Sequence, residues 1–421
     1  MSELKKTITD MARNASLAAR KSQAISSDTK DQILREMADA LVARKNELIK
    51  ANKADLKAAK NAAISRPMLE RLTLDEKRIQ EMADSLREIA TLPDPVGEVI
   101  KAWRRPNGLW IHKVRVPIGV IAIIYESRPN VTSDCLGLCF KSGNSVILRG
   151  GSESLNSNLA IYNVLKGVLK NNRVPEDLVN MIETPDRKAI DVLLKLNQYI
   201  DLVMPRGGEE LIKKIVKSSR IPVIKHYKGI CHVYVDDWAE LNMATDICLN
   251  AKLQRPGVCN AMESLLVHKD CAIRFLPLML KKFDGAQVEI RGCQMTRKIC
   301  KNLPIKKATE KDYATEYLGL VVSVKVVESL EEAIDHINNY GSHHSDTIVT
   351  DNYDNALKFL RFVDSACVYV NASTRFTDGN QFGFGAEIGI STNKLHARGP
   401  MWLEDLCSYK YMIFGHGQVR L

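Results

Sequence analysis

GVIAIIYE, residues 119–126, is the stretch on which the fold turns. It runs apolar without a polar break until its final glutamate. A strand with one face in water alternates apolar and polar residues. An unbroken apolar run of this length fits a strand buried on both faces, as in a parallel sheet covered by helices. Working outward, a helical segment follows at about 131–141, and SVILRG (145–150) reads as the next strand. A helix at 154–169 then precedes DLVNMIE (177–183), DLVMPRGG (201–208) and IPVIKH (221–226). Strands alternating with helices imply a parallel sheet with helices on both faces. Ligands of such sheets bind beyond the carboxyl ends of the strands. Segments 126–130, 149–153, 205–208 and 226–229 are therefore where chemistry is expected.

A second α/β unit is expected from about Asp237. It contains ESLLVH (263–268), the helical CAIRFLPLMLKKF (271–283), LGLVVSVKVV (318–327), the helical LEEAIDHINNY (330–340), DTIVT (346–350) and CVYVN (367–371). Upstream, residues 1 to about 93 read as helices. Ile33, Met37, Leu41, Leu48 and Leu56 keep helical spacing through 28–63, and a further helix is expected to open at Thr73 with Glu76 completing a capping box. Pro93 and Pro95 close this region. VIKAWRR and LWIHKVRV, joined at Pro106-Asn107-Gly108, read as a hairpin, because Asn-Gly supplies the positive φ of a tight turn. A two-stranded ribbon is marginal alone, so it is expected to pair with something else, such as another subunit.

The chain has 421 residues, too many for one ordinary core, and two or three domains follow. The net charge of +10 is scattered, without a long basic run or interleaved aromatics. Nucleic-acid binding is thereby disfavoured, and an anionic small molecule suits the charge. No apolar run is long enough to cross a membrane, and the N-terminal segment lacks the apolar core of a secretory signal. The ten cysteines show neither a CxxC pair nor zinc-ligand spacing, so no metal site is expected. Unpatterned thiols suit a reducing, cytoplasmic compartment.

Four motifs admit both a chemical and a structural reading. Arg206, Gly207 and Gly208 end a strand just before a helix, which suits a phosphate at the helix N-terminus or a plain turn. Arg149, Gly150, Gly151, Ser152 and Glu153 repeat that pattern on another strand, although GxGxxG is absent. Asn130, after a proline, is either an oxyanion donor or a helix N-cap. In RPGVCNA (255–261), Cys259 is either a nucleophile beside Arg255 or an inert thiol next to a turn.

These segments carry a family resemblance. VPIGVIAIIYESRPNVT, VILRGGSE, DLVMPRGG, LQRPGVCNA and above all FGFGAEIGISTNKLHARGP (382–400) resemble the aldehyde dehydrogenase superfamily, from about Lys5 to the end. The closest likeness is to its branch that reduces L-glutamyl 5-phosphate to the semialdehyde. The resemblance implies an aldehyde dehydrogenase-like α/β fold, with two parallel-sheet domains and a β-hairpin oligomerisation arm. An NADP-binding domain would comprise 1–98 and 118–236, and a catalytic domain 237–385. Residues 99–117 and 386–421 would form the arm and tail of a homodimer or homotetramer.

The resemblance also implies Cys259 as nucleophile and Asn130 as oxyanion donor. NADPH would meet Arg149, Gly150, Ser152, Glu153, Arg206, Gly207, Gly208 and Glu316. Arg255, Lys394, Asn371, Ser373 and His226 would face glutamyl phosphate, with Arg398 and Thr374 as further candidates and His226 or His232 as a proton source. The reaction would be the second step of proline biosynthesis, coupled to glutamate 5-kinase. Hydrolytic members carry a glutamate base near the position of His226. Its absence fits a reductase, whose thioester must not meet water. Trp402 stands where a glycine is expected, which would alter packing of the tail. Tyr313-Ala314 departs weakly from the pattern. The rival readings are an oxidising aldehyde dehydrogenase, a cysteine acyltransferase or hydrolase without nicotinamide, and a non-catalytic NADP-binding protein.

Overall fold

A computed structural model describes residues 2–62, 64 and 66–420. The chain divides into two units. The first holds residues 1–225, 383–389 and 401–421; the second holds 226–382 and 390–400. The boundary expected at 236/237 thus falls at 225/226. The reason is the strand Cys231–Val235, which lies inside the second sheet and not at the edge of the first.

In the first unit, helices Glu3–Ser22, Ser27–Ala43, Lys45–Asn61, Arg66–Leu72 and Glu76–Thr91 precede the sheet. Ala63, the end of the long helical pattern, lies outside the described residues. The helix expected at Thr73 starts at Glu76 instead. Asp75 caps it by accepting from the Arg78 N–H at 2.8 Å, while the Thr73 hydroxyl donates to Leu69 O. A carboxylate at the N-terminus also complements the helix dipole.

Four parallel strands follow in the spatial order Val179–Met181, Ser145–Arg149, Val120–Tyr125, Leu202–Arg206. All six residues of Val120–Tyr125 are buried, which is why that run carries no polar residue. Ile8, Ala12, Ala15 and Ala19 of the first helix share a core with Val120, Ala122, Ile124 and Val203. IPVIKH contributes only the single parallel bridge Val203–Val223 and not a full strand. The register sets Ile124 beside Arg149 and Tyr125 beside Arg206, so both arginines stand at the carboxyl edge.

The hairpin forms from Val99–Arg104 and Trp110–Pro117, and its other partner is the chain's own tail, Cys407–Phe414. The second unit places strands Ile305–Lys307, Glu289–Gly292, Val321–Val327, Met262–His268, Cys231–Val235, Ser345–Val349 and Cys367–Val370 side by side, all parallel. Leu241–Leu253 and Lys269–Gly285 pack into one core, and Leu330–Tyr340 and Tyr353–Phe362 into another. Among the described residues, no helix is long and apolar enough to cross a membrane.

Candidate active site

The turn that carries Cys259 lies in the second unit, between helix Leu241–Leu253 and strand Met262–His268. All ten sulfurs are thiols rather than disulfides, and eight of them are buried. Burial pushes the Cys135 and Cys271 thiols up to about 12, and those of Cys139 and Cys231 well above their ordinary value. Only Cys259 and Cys293 are half-buried. Cys293 caps the helix Gln294–Ile299, accepting from the Thr296 N–H. Cys259 therefore differs from the other nine by position.

Its backbone is tightly held. The Cys231 thiol donates to Cys259 O at 3.2 Å. A side chain at Gly229 would collide with the Cys259 backbone. The Gly229 N–H in turn donates to Glu316 Oε1 at 2.8 Å. On the other side, the Thr374 hydroxyl donates to Asn260 O at 2.7 Å, and the Asn260 amide donates to Thr377 O at 2.8 Å. Behind the turn, buried Lys252 donates to Glu263 at 2.7 Å and to Met262 O at 2.8 Å. Glu263 also accepts from the Leu318 N–H, two residues beyond Glu316. Burial raises its carboxyl to about 7 against the pull of Lys252.

The first unit carries the strand-end groups. Arg149 is buried; its Nη2 donates to Pro185 O at 2.9 Å, and its Nε has no partner among the described residues. Burial lowers its pKa, and the nearby charge of Arg187 adds to that. Gly150 is required by the chain itself, since a Cβ there would strike the Asn158 amide. Glu153 accepts from both the N–H and the hydroxyl of Ser127 at 2.7 Å, holding that residue at φ 46°. Ser152 is exposed in the adjoining 3-10 turn.

At the third strand end, the Gly208 N–H donates to Glu126 Oε2 at 2.9 Å. Glu209 and Glu210 follow in the first helical turn. A phosphate at this helix N-terminus would meet three carboxylates, which weakens that expectation for Gly207 and Gly208. Arg206 packs against Gly389. Asn130 is exposed and lies inside the helix Asn130–Lys141, so it does not cap it. Its amide donates to Asp134 at 3.0 Å. Burial raises the Asp134 carboxyl to about 6, opposed by that bond, by Ser85 and by the charge of Arg206.

Comparison with known proteins matches residues 2–296 and 306–399 to the model described as "Aldehyde dehydrogenase family". The chain belongs to the aldehyde dehydrogenase family. A relative from Thermoanaerobacter pseudethanolicus named gamma-glutamyl phosphate reductase is 56% identical, over 97% of this chain and 98% of its own. One of the same name from Thermodesulfovibrio yellowstonii is 54% identical over 99% of this chain and all of its own. The crystal structure of the gamma-glutamyl phosphate reductase of Thermotoga maritima superposes with a TM-score of 0.96 at 45% identity, covering 98% of this chain and 100% of that one. The resemblance seen in the sequence, including its reductase branch, and the expected fold are both borne out.

Within this family fold, several expected substrate groups are engaged elsewhere. Asn371 uses both ends of its amide on Thr350, at 2.9 Å each, because a residue at φ 55° needs its loop pinned. Lys394 pairs with Asp364 at 2.5 Å, and Arg398 with the same carboxylate at 2.8 Å. Ser373 is buried and accepts from the Arg375 N–H. Its neighbour Thr374 does reach the nucleophile turn. His232 is fully buried and fixed to Asp346 at 2.8 Å. His226 meets the ring of His344 edge-on, at 6.0 Å between centroids. Trp402 stacks on Phe384 of its own chain, at 4.7 Å, and Tyr313 packs on His336 and Tyr340.

Two arginines went unread in the sequence. Arg187 lies near Arg149, and Arg375 lies against the Cys259 turn. Arg375 donates from Nη1 to Asn260 Oδ1 and from Nε to Gln254 Oε1 at 2.8 Å. Burial, then the neighbouring charge of Arg255, holds its guanidinium below the ordinary value. Arg375 directly follows Thr374 in the sequence, so the signal lay beside residues already singled out.

Proposed function

We propose that the chain is an NADP-dependent reductase of L-glutamyl 5-phosphate, releasing L-glutamate 5-semialdehyde and phosphate through a Cys259 thioacyl intermediate. The single observation that carries this reading is the near full-length identity to relatives bearing that name. Local chemistry supports it. Cys259 is half-buried in a turn whose carbonyls accept from the Cys231 thiol and the Thr374 hydroxyl.

Attack of the sulfur on the γ-carbonyl forms the thioester and expels phosphate. The Asn130 amide and the Cys259 N–H are the donors assigned to the developing oxyanion. At the position of the hydrolytic glutamate, the chain offers His226 instead, so water is not activated against the thioester. Arg149 fits the 2′-phosphate end of NADPH: its buried Nε lacks a partner and Arg187 lies close by. The bound nicotinamide would supply hydride to the thioacyl carbon. Glu316, fixed by Gly229, is assigned to the nicotinamide ribose, and Ser152, Glu153, Arg206, Gly207 and Gly208 to the rest of the cofactor. The exposed Tyr411, Ile413 and Phe414 of the arm suit self-association into a dimer or tetramer. An acyl phosphate implies supply by a kinase acting on glutamate, in a pathway leading to proline and in the cytoplasm.

The test is cofactor reduction with glutamate semialdehyde, run with and without inorganic phosphate. A rate that requires phosphate and prefers NADP+ upholds the reading. A rate indifferent to phosphate overturns it in favour of hydrolysis.

A further inference from the structure

We propose that Arg375, with Arg255, receives the phosphoryl group of the acyl phosphate as it leaves and keeps Cys259 ready to attack. This rests on the acyl-phosphate reading above and names the cation that serves it.

The geometry starts from the 3-10 turn Thr374–Phe376. Its hydroxyl and carbonyl groups staple it to the nucleophile turn: Thr374 donates to Asn260 O, and Asn260 donates to Thr377 O. This fixes the Arg375 backbone next to the residue that follows Cys259. The guanidinium is then aimed by two neutral acceptors, Asn260 Oδ1 and Gln254 Oε1. Those bonds use two of its five N–H groups, which leaves three donors in a planar fork. Arg255 opens the same turn, so two guanidinium groups share one neighbourhood with one thiol.

Among the described residues, no carboxylate forms a salt bridge with either arginine. Asp378 lies close enough to act on Arg375 by charge, yet burial and Arg255 outweigh it. Half-burying one cation beside another is unfavourable, and an arriving anion lowers that cost. Lys394 and Arg398, the other candidates, are already neutralised by Asp364.

The substrate offers two anions. The phosphoryl group is bonded to the attacked carbonyl carbon, whereas the α-carboxylate lies at the far end of the glutamyl chain. A cation anchored to the residue after the nucleophile matches the first. In the step itself the S–C bond forms and the C–O bond to phosphorus breaks. The proton lost by the thiol is the one carried away on hydrogen phosphate, so no further reactant is needed. The fork stabilises charge on the departing oxygen, and the same positive field favours the thiolate before attack.

The experiment uses the full-length chain as wild type, Arg375→Gln, Arg375→Lys and Arg255→Gln. In the phosphate-dependent oxidation of glutamate semialdehyde, Arg375→Gln raises the KM for phosphate about tenfold or more, the size of one lost charge-assisted bond. The KM for semialdehyde stays within about twofold. Arg375→Lys falls between, and Arg255→Gln, at an exposed position, shifts the phosphate KM in the same direction by less. Without any cofactor, iodoacetamide labelling of Cys259, read by mass spectrometry, is slowed by inorganic phosphate in the wild type. In Arg375→Gln the labelling is slower at pH 7, its pH profile moves upward, and phosphate no longer protects.

A rise confined to the semialdehyde KM assigns Arg375 to the α-carboxylate and overturns the proposal. So does a fall in kcat with an unchanged phosphate KM, which would mean that Arg375 only supports the turn. If Arg375→Gln does not fold, an Arg255→Gln phosphate KM equal to wild type counts against the proposal in the same way. A wild-type rate that ignores phosphate sinks the parent reading instead.

Discussion

The second unit holds two groups of cations that look alike in the sequence and differ in the fold. Lys394 and Arg398 converge on Asp364, which they hold below the usual carboxylate range. Arg255 and Arg375 lie at the Cys259 turn, where the charge of Arg255 bears on Arg375, and among the described residues neither forms a salt bridge. A cation paired with a carboxylate has its counter-charge in contact, whereas Arg375 is hydrogen-bonded to two neutral oxygens and feels Asp378 only through its charge. Lys394 and Arg255 stand alike when only the sequence is read, because counter-charges far along the chain are invisible there.

The largest effect that could break this comparison is at the thiol. Cys259→Ala is expected to lose at least ~10³-fold in turnover while cofactor binding, followed by calorimetry, persists. Retained turnover would move the chemistry away from the Arg255–Arg375 neighbourhood.

Next comes the buried pair behind the turn, where both charges are satisfied. Lys252→Met leaves Glu263 buried without its partner and should cost about 3–5 kcal/mol in urea unfolding. Replacing both residues with apolar ones should recover most of that loss. If the single variant is as stable as wild type, the pair does not brace the turn.

Buried histidines sharpen the contrast further, since burial there forbids charge altogether. Burial first, with neighbouring histidines second, holds His344 at about 3 and His336 at about 2. These pKa values are depressed from 6.5, so the unfolded chain takes up protons that the folded chain refuses. Stability from the neutral rings is present above pH 6.5 and is lost as pH falls below it, by about 1.4 kcal/mol per pH unit for each ring. His336→Asn should remove one such share, about 2 kcal/mol between pH 6.5 and 5. An unchanged slope in denaturant titrations would show that the ring charges within the fold.

The smallest expected effect is at the satisfied cluster. Lys394→Gln should change the KM for phosphate less than about twofold and stability by less than ~1 kcal/mol, as for an exposed ion pair. A tenfold rise in that KM would transfer the anion site to the Asp364 cluster.

How much could be read without the fold follows from range. Val120–Tyr125 and Ser145–Arg149 were legible because burial on both faces leaves an unbroken apolar run. The hairpin was legible through Asn107-Gly108, but its third strand, nearly 300 residues away, was not. The start of the Glu76–Thr91 helix was misplaced because Thr73 and Asp75 both offer a cap, and only geometry chose the carboxylate. The partners of Asn371 and Lys394, Thr350 and Asp364, could not be read in the sequence, because they come from other segments of the chain.

By itself, the sequence determined the α/β class and the family. Local apolar patterning and long motifs carry that information directly. Tertiary structure alone decided which polar groups remain available for chemistry. That depends on hydrogen-bond and ion-pair partners recruited from distant segments, as when Glu126 takes the Gly208 N–H, Asp364 takes Lys394, and Asn260 accepts from Arg375.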